Sequence, residues 1–205
     1  MTSHCKGELW AEAWSGDRQR FVTGGDDKTV RLWDSTSYKQ LNIHKMKEPV
    51  RGLDWHKEAN GHIVVGDYRG NIYLFDSDLK LLDEAKTRFS KTKPRKEPFW
   101  IQDIKFSPDG KMVAFGAHGG ASHVELWNIE GDKFGSGKVV NAGLTSALLS
   151  VDWSKDSDTL AVVSQAYELK FISSSGGNVS ASACRDLFKD CKWASWSAKF
   201  GFPVA

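Results

Sequence analysis

Four segments of the chain repeat one pattern of strand-like runs, turns and aromatic residues. In each segment an alternating run ends on an aromatic residue. A polar turn, a short apolar stretch ending in small residues, a second turn and a final apolar run follow, and the final run closes on a second aromatic. The aromatic pairs are Trp14 and Trp33, Trp55 and Phe75, Phe106 and Trp127, and Trp153 and Phe171. This regular spacing predicts one structural unit that is built four times.

Units of this kind cannot fold alone. Their strands are short and apolar on both faces, so each sheet needs a neighbour on either side. Radial stacking of three- or four-stranded sheets meets that need, and a period of about 40–45 residues is typical of β-propeller blades. We therefore predict an all-β fold of about four WD-repeat-type propeller blades plus the start of a fifth, arranged as an open arc of a larger propeller. The predicted boundaries are blades 7–45, 46–85, 99–140 and 146–183, a basic inter-blade loop 86–98, and the start of the next blade 184–205.

Composition narrows the functional classes. The 205 residues are 40% hydrophobic and 26% charged, which fits a packed core, and the net charge is only +2. The three cysteines have no metal-ligand spacing, and no apolar run is long enough to cross a bilayer. The polar start of the chain does not resemble a signal peptide. These features predict a cytoplasmic protein with no membrane partner.

Positive charge is concentrated in the stretch 86–96, which we call the basic segment. It carries six Lys or Arg residues and no acid, so the rest of the chain sums to 2 − 6 = −4. Such a segment attracts an acidic peptide, a phosphate or a nucleic acid backbone, although a solvated loop with no specific role is an equally good interpretation. Trp100 follows it and is a candidate contact residue. The predicted partner-binding residues are Lys86, Arg88, Lys91, Lys93, Arg95, Lys96 and Trp100.

Patterns that would indicate catalysis or a cofactor fail on inspection. The stretch 131–138 resembles a phosphate-binding loop, but its spacing is one residue too long and Val139 stands where a hydroxyl is required. His118 and His123 have no further metal ligands at a suitable spacing. The recurring Trp and Phe residues are better explained as inter-blade core than as a ligand cage. We predict no enzyme activity, no cofactor, no metal and no small-molecule substrate.

The residues 24–34, read as GGDDKTVRLWD, closely resemble the end of a WD repeat. The turn aspartate of that repeat corresponds to Asp27, and its closing dipeptide to Trp33-Asp34. The dipeptide weakens to Phe75-Asp76 in the second segment and is lost further on, and Arg69 replaces the turn aspartate there. Because the Gly-His pair that often opens a WD repeat is absent, we predict that the His–Asp hydrogen-bond network of typical WD repeats is missing.

Nearly the whole chain resembles the echinoderm microtubule-associated protein-like family. The resemblance rests on GELWAEAWS at the start, on FVTGGDDKTVRLWD, and on the Cys184-Arg185-Asp186, Trp193-Ala194-Ser195 and Gly201–Val204 series at the end. It implies a non-enzymatic cytoskeletal scaffold in the cytoplasm, at a spindle or in a ciliary axoneme. The implied partners are tubulin, microtubules and associated proteins. The alternative is a WD-repeat adaptor unrelated to tubulin, and nucleic acid binding has only the basic segment in its favour.

Overall fold

The computed structural model describes residues 4, 6–58, 61–91, 99–119, 123–180, 191–195 and 197. Fifteen strands and one short helix make up its regular structure. The strands of sheet 1 are β1 (Leu9–Trp14), β2 (Arg20–Gly25), β3 (Thr29–Asp34) and β4 (Gln40–Lys45). Those of sheet 2 are β5 (Val50–Trp55), β6 (Ile63–Asp67), β7 (Asn71–Phe75) and β8 (Leu81–Lys86), followed by the helix α1 (Arg88–Lys91).

The remaining strands form two further sheets. Sheet 3 contains β9 (Ile101–Phe106), β10 (Met112–Ala117), β11 (His123–Glu130) and β12 (Lys133–Asn141). Sheet 4 contains β13 (Leu148–Trp153), β14 (Thr159–Ser164) and β15 (Leu169–Ser173).

Each sheet is an antiparallel meander in which the strands pair in chain order. Consecutive sheets pack through their first strands, because β1 contacts β5, β5 contacts β9, and β9 contacts β13. Over the described residues the sheets do not close into a ring. The all-β class and the open arc of propeller-type blades are therefore confirmed.

The core lies between the sheets. Trp55 and Phe75 of sheet 2 are buried against Val22 and Leu32 of sheet 1. The same arrangement recurs between sheets 3 and 4, where Trp153 lies in one cluster with Leu126. An aromatic face of one sheet thus covers an aliphatic face of the sheet before it, as expected for apolar strands with period-two side-chain directions.

A glycine near the end of the second strand in sheets 1, 2 and 3 allows this close packing. A Cβ added at any of these positions would come within about 2.5 Å of the first residue of the next sheet. The pairs are Gly24 and Val50, Gly66 and Ile101, and Gly116 and Leu148. The small residues in the repeat are therefore needed because a neighbouring blade lies against the backbone there.

Carboxylates on the first strands join consecutive sheets. Asp54 accepts a hydrogen bond of 2.8 Å from the backbone N–H of Phe106, and Asp103 accepts one of 2.9 Å from that of Val151. The Nζ atom of Lys105 lies 3.6 Å from Asp103 and 4.0 Å from Asp54. Burial raises the pKa of both carboxyl groups, and the lysine offsets this only in part. Burial lowers the pKa of Lys105, but the two aspartates outweigh it and the net shift is upward.

Trp14 departs from the expected core position. It is 45% exposed, whereas its counterparts Trp55 and Trp153 are 2% and 1% exposed. It stacks on Phe21 at 4.8 Å between ring centroids. The difference arises because Trp14 lies on the face of sheet 1 that points away from sheet 2. The expectation that it forms inter-blade core is therefore wrong for the described residues.

Candidate functional site

The first blade contains the hydrogen-bond network that the sequence led us to exclude. One ring nitrogen of His4 lies 2.8 Å from Asp27 Oδ1, and the other lies 2.8 Å from Thr23 Oγ1. Trp33 Nε1 donates to the same Thr23 oxygen at 2.8 Å. The prediction that the network is missing was wrong for this blade, because His4 is not preceded by the expected glycine and reaches the turn from outside the strands.

Charge and hydrogen bonding keep the carboxyl group of Asp27 in this turn ionised. Arg31 Nη2 lies 3.0 Å from Asp27 Oδ2, and the Thr29 hydroxyl donates to the other oxygen at 2.8 Å. Burial raises the pKa of Asp27, but the hydrogen bonds from His4 and Thr29 outweigh it and the net shift is downward. In the second blade Arg69 replaces the turn aspartate of the repeat. Asp67 is the hydrogen-bond acceptor in this turn instead, and it accepts hydrogen bonds from Asn71 and Tyr73.

The turns between second and third strands lie at one end of the sheets, which we call the rim. The strands β1, β5 and β9 begin there, and β8 ends there with Lys86. Lys86, Arg88 and Lys91 are exposed, and neither Lys86 nor Lys91 has an ion pair among the described residues. Lys93, Arg95 and Lys96 lie outside the described residues. The part of the basic segment that the structure shows is therefore on the rim.

Contacts with the neighbouring turn fix the start of the basic segment. Thr87 is buried and its hydroxyl donates to the carbonyl of Gly70. The backbone N–H of Arg88 donates to Glu125 at 2.9 Å. Phe89 is 2% exposed and stacks on His123 at 4.5 Å between ring centroids. These contacts hold the backbone that carries the exposed Arg88 and Lys91.

Five side chains stack in a continuous row across the rims of sheets 1, 2 and 3, and we call them the rim row. The Arg51 guanidinium lies 4.2 Å from the ring centroid of Trp10 and 5.1 Å from that of Tyr68. Tyr68 stacks on Trp100 at 5.4 Å, and Trp100 stacks on His118 at 4.0 Å. Three blades are thereby connected by π contacts that are separate from the inter-blade core.

Sequence reasoning found only part of the rim row. Trp100 was predicted as a contact residue and lies in the row between Tyr68 and His118, half-buried. Arg51, Tyr68 and His118 were not predicted as part of it. Equivalent positions in the repeat could have indicated these residues. Trp10 and Arg51 are the second residues of β1 and β5, and Tyr68 and His118 directly follow β6 and β10.

The acid nearest to the row is already paired. Asp26 Oδ1 lies 2.8 Å from Arg51 Nη1, and its other oxygen accepts the backbone N–H of Glu8. Burial raises the pKa of Asp26, but these interactions outweigh it and the net shift is downward. The carboxylate is therefore ionised and is used to hold Arg51 between the two rings.

The repeated sheets, the His4–Asp27 network and the closing Trp33-Asp34 define the chain as a WD-repeat β-propeller protein. The sequence model of the echinoderm microtubule-associated protein second β-propeller matches residues 9–205. The chain belongs to that family, as its sequence resemblance implied.

Relatives of the chain carry names that agree with this assignment. It is 28% identical over 198 residues to the echinoderm microtubule-associated protein-like 2 of Rattus norvegicus, covering 96% of this chain and 28% of that protein. It is 28% identical to the 77 kDa echinoderm microtubule-associated protein of Strongylocentrotus purpuratus, covering 96% and 27%. A ciliary WD repeat-containing protein of Euplotoides octocarinatus is 26% identical, covering 100% and 30%. The chain thus spans less than a third of the length of these relatives.

Two other kinds of feature are absent from the described residues. No helix in that part of the chain has the length and apolar character needed to span a bilayer. The same residues contain no group of three or more His, Cys, Asp or Glu side chains placed to hold a metal ion.

Proposed function

We propose that this chain is part of a non-enzymatic scaffold of the microtubule cytoskeleton and that it binds tubulin, microtubules or their associated proteins through its propeller surface. The observation that carries the proposal is the match to the echinoderm microtubule-associated protein family over residues 9–205. Two of the relatives are named as microtubule-associated proteins and one as a ciliary protein. The proposed location is the cytoplasmic cytoskeleton.

The exposed cations of the rim support a contact with an acidic partner. Lys86 and Lys91 are free of ion pairs within the described residues, and the sequence adds Lys93, Arg95 and Lys96 directly after them. Charge complementarity of this kind speeds association and gives it a steep dependence on salt. An acidic surface of tubulin is the partner that best fits both the charge and the family.

Co-sedimentation with microtubules over a salt series tests the proposal. The rim variant carries Lys91→Glu, Lys93→Glu, Arg95→Glu and Lys96→Glu, which reverse the charge at four of the six basic positions of the segment. The matched control is Lys39→Glu, Lys80→Glu, Lys133→Glu and Lys155→Glu, which makes the same charge change at exposed positions in or next to the turns at the opposite end of the sheets.

We expect the chain to sediment with microtubules at low salt, the control to retain binding and the rim variant to lose it. Equal binding by the two variants would show that the basic segment is not the contact. Absence of binding by the folded chain would favour the alternative, a WD-repeat adaptor for a partner other than tubulin.

A further inference from the structure

We propose that the rim row formed by Trp10, Arg51, Tyr68, Trp100 and His118 is the docking face for an extended, carboxylate-rich segment of a partner protein. The inference rests on the proposed function, because the row and the described part of the basic segment lie on the same rim. It goes further in naming the described residues that make the contact and the chemistry of the segment that they bind.

The row and the described start of the basic segment, residues 86–91, lie close together. A Cβ added to Gly70, two residues after Tyr68, would lie 2.8 Å from the carbonyl of Phe99 and 2.9 Å from Cβ of Phe89. Phe99 directly precedes Trp100, and Phe89 lies in α1 between the exposed Arg88 and Lys91. The turn that carries Tyr68 is therefore in contact with both ends of the segment 89–99.

The stacking geometry determines which chemistry remains available. Trp100 has Tyr68 stacked on it with an interplanar angle of 11° and His118 with one of 6°. Because these neighbours occupy its ring faces, a partner meets the ring edges, which carry the positive end of the aromatic quadrupole. Ring edges next to free lysines favour anions.

An acidic peptide fits this surface better than a nucleic acid. Proteins that bind single strands offer open aromatic faces on which bases stack. In the rim row Tyr68 and Trp100 each stack with a neighbour on either side in the row, and Trp10 at the end of the row is 46% exposed. Carboxylates need no open face, because they take charge-assisted hydrogen bonds from the exposed lysines beside the row.

The row spans three blades, so its occupant must be extended. Its members come from β1, β5, the turn after β6, the approach to β9 and the turn after β10. A single side chain or a small ion would contact one of these places and not the others. A peptide lying across the rim reaches all three sheets, and the stacked side chains hold the contact points in fixed positions before it binds.

The test uses a fluorescein-labelled poly-glutamate peptide, with poly-glutamine of equal length and poly-uridine RNA as comparisons, followed by fluorescence anisotropy at rising NaCl. Tyr68→Ser removes one ring from the row. Tyr38→Ser removes an exposed ring from a turn at the opposite end of sheet 1 and is the matched control. Arg51→Lys keeps the charge but loses the planar stacking group. Thermal melts followed by circular dichroism establish that each variant is folded.

We expect poly-glutamate to bind in a salt-dependent way and poly-glutamine not to bind. Tyr68→Ser should weaken poly-glutamate binding about tenfold, and Arg51→Lys should also weaken it, while Tyr38→Ser leaves it unchanged. Equal affinities for Tyr68→Ser and Tyr38→Ser overturn the inference. Tighter binding of poly-uridine through Tyr68 overturns it as well.

Co-sedimentation of the same variants separates this inference from the proposed function. A chain that sediments with microtubules but binds poly-glutamate independently of Tyr68 refutes only the docking face. A chain that binds poly-glutamate through Tyr68 and does not sediment refutes only the assignment to microtubules.

Discussion

Replacing Lys105 by methionine removes the only cation within 4.0 Å of the inter-sheet carboxylates Asp54 and Asp103 in the described part of the chain. At these separations and an effective dielectric constant of about 20, each attraction is worth about 4 kcal/mol before desolvation is counted. Removing one partner of a buried pair typically costs about 3–5 kcal/mol, because a charge is left buried without compensation.

The local exposure sets the expected magnitude. The side chains of Lys105 and Asp103 are 23% and 16% exposed, so water screens them in part. We therefore expect Lys105→Met to lower the free energy of unfolding by about 3 kcal/mol, at the lower end of the range for buried pairs. Urea denaturation at pH 7, followed by tryptophan fluorescence, measures it. Lys111→Met is the matched control, because its 3.7 Å pair with Asp109 is exposed and should be worth less than about 1 kcal/mol.

Acid should reduce the stability loss of Lys105→Met. Burial already raises the pKa of Asp54 and Asp103, and loss of the lysine raises it further. A carboxyl with a raised folded-state pKa destabilises the protein increasingly as the pH rises from the unfolded pKa, about 4, through the folded one. The deficit of Lys105→Met should thus be largest at pH 7 and shrink toward pH 4. A variant as stable as the parent chain at pH 7, or a deficit that is independent of pH, would refute this reasoning.

Three further perturbations test the fold and its charges. Trp153→Ala should lower the free energy of unfolding by about 3–5 kcal/mol, because the Trp153 ring is buried. Trp14→Ala should lower it by less than half of that, because the Trp14 ring is half-exposed. Equal losses in urea denaturation would contradict this. Gly66→Ala should cost about 1–3 kcal/mol, because its Cβ would overlap Ile101, and an unchanged thermal midpoint would count against the packing. Asp27 has a lowered pKa, so it stabilises the fold above about pH 4 and this stabilisation is lost as the pH falls. In denaturant titrations the difference in unfolding free energy between Asp27→Asn and the parent chain should therefore narrow from pH 7 to pH 3. A difference that is independent of pH would contradict that sign.

Much of the fold was predictable because its determinants are local. Three features recur at nearly fixed spacing: the aromatic that ends each first strand, the turn after it and the small residue that ends the second strand. Spacing along the chain can be read directly from a sequence. The glycines near the ends of β2, β6 and β10 show the physical basis, since each is required by the first residue of the next sheet. The basic segment could likewise be located from charge alone.

The candidate site was less predictable because its contacts join residues that are far apart in the chain. Arg51 lies 41 residues from Trp10, and Tyr68 lies 32 from Trp100, and no local pattern marks those pairs. His4 was missed for a related reason, since its partner Asp27 is on the far side of a strand hairpin.

The sequence by itself determined the class of fold, the repeat and the family, because strand periodicity and turn chemistry are properties of short stretches. Only the tertiary structure decided which side chains meet at the rim, that Lys105 lies between two partly buried aspartates, and that Trp14 lies on an exposed face. The physical reason is that these features depend on how one blade is placed against the next, and that placement results from the summed packing of whole sheets.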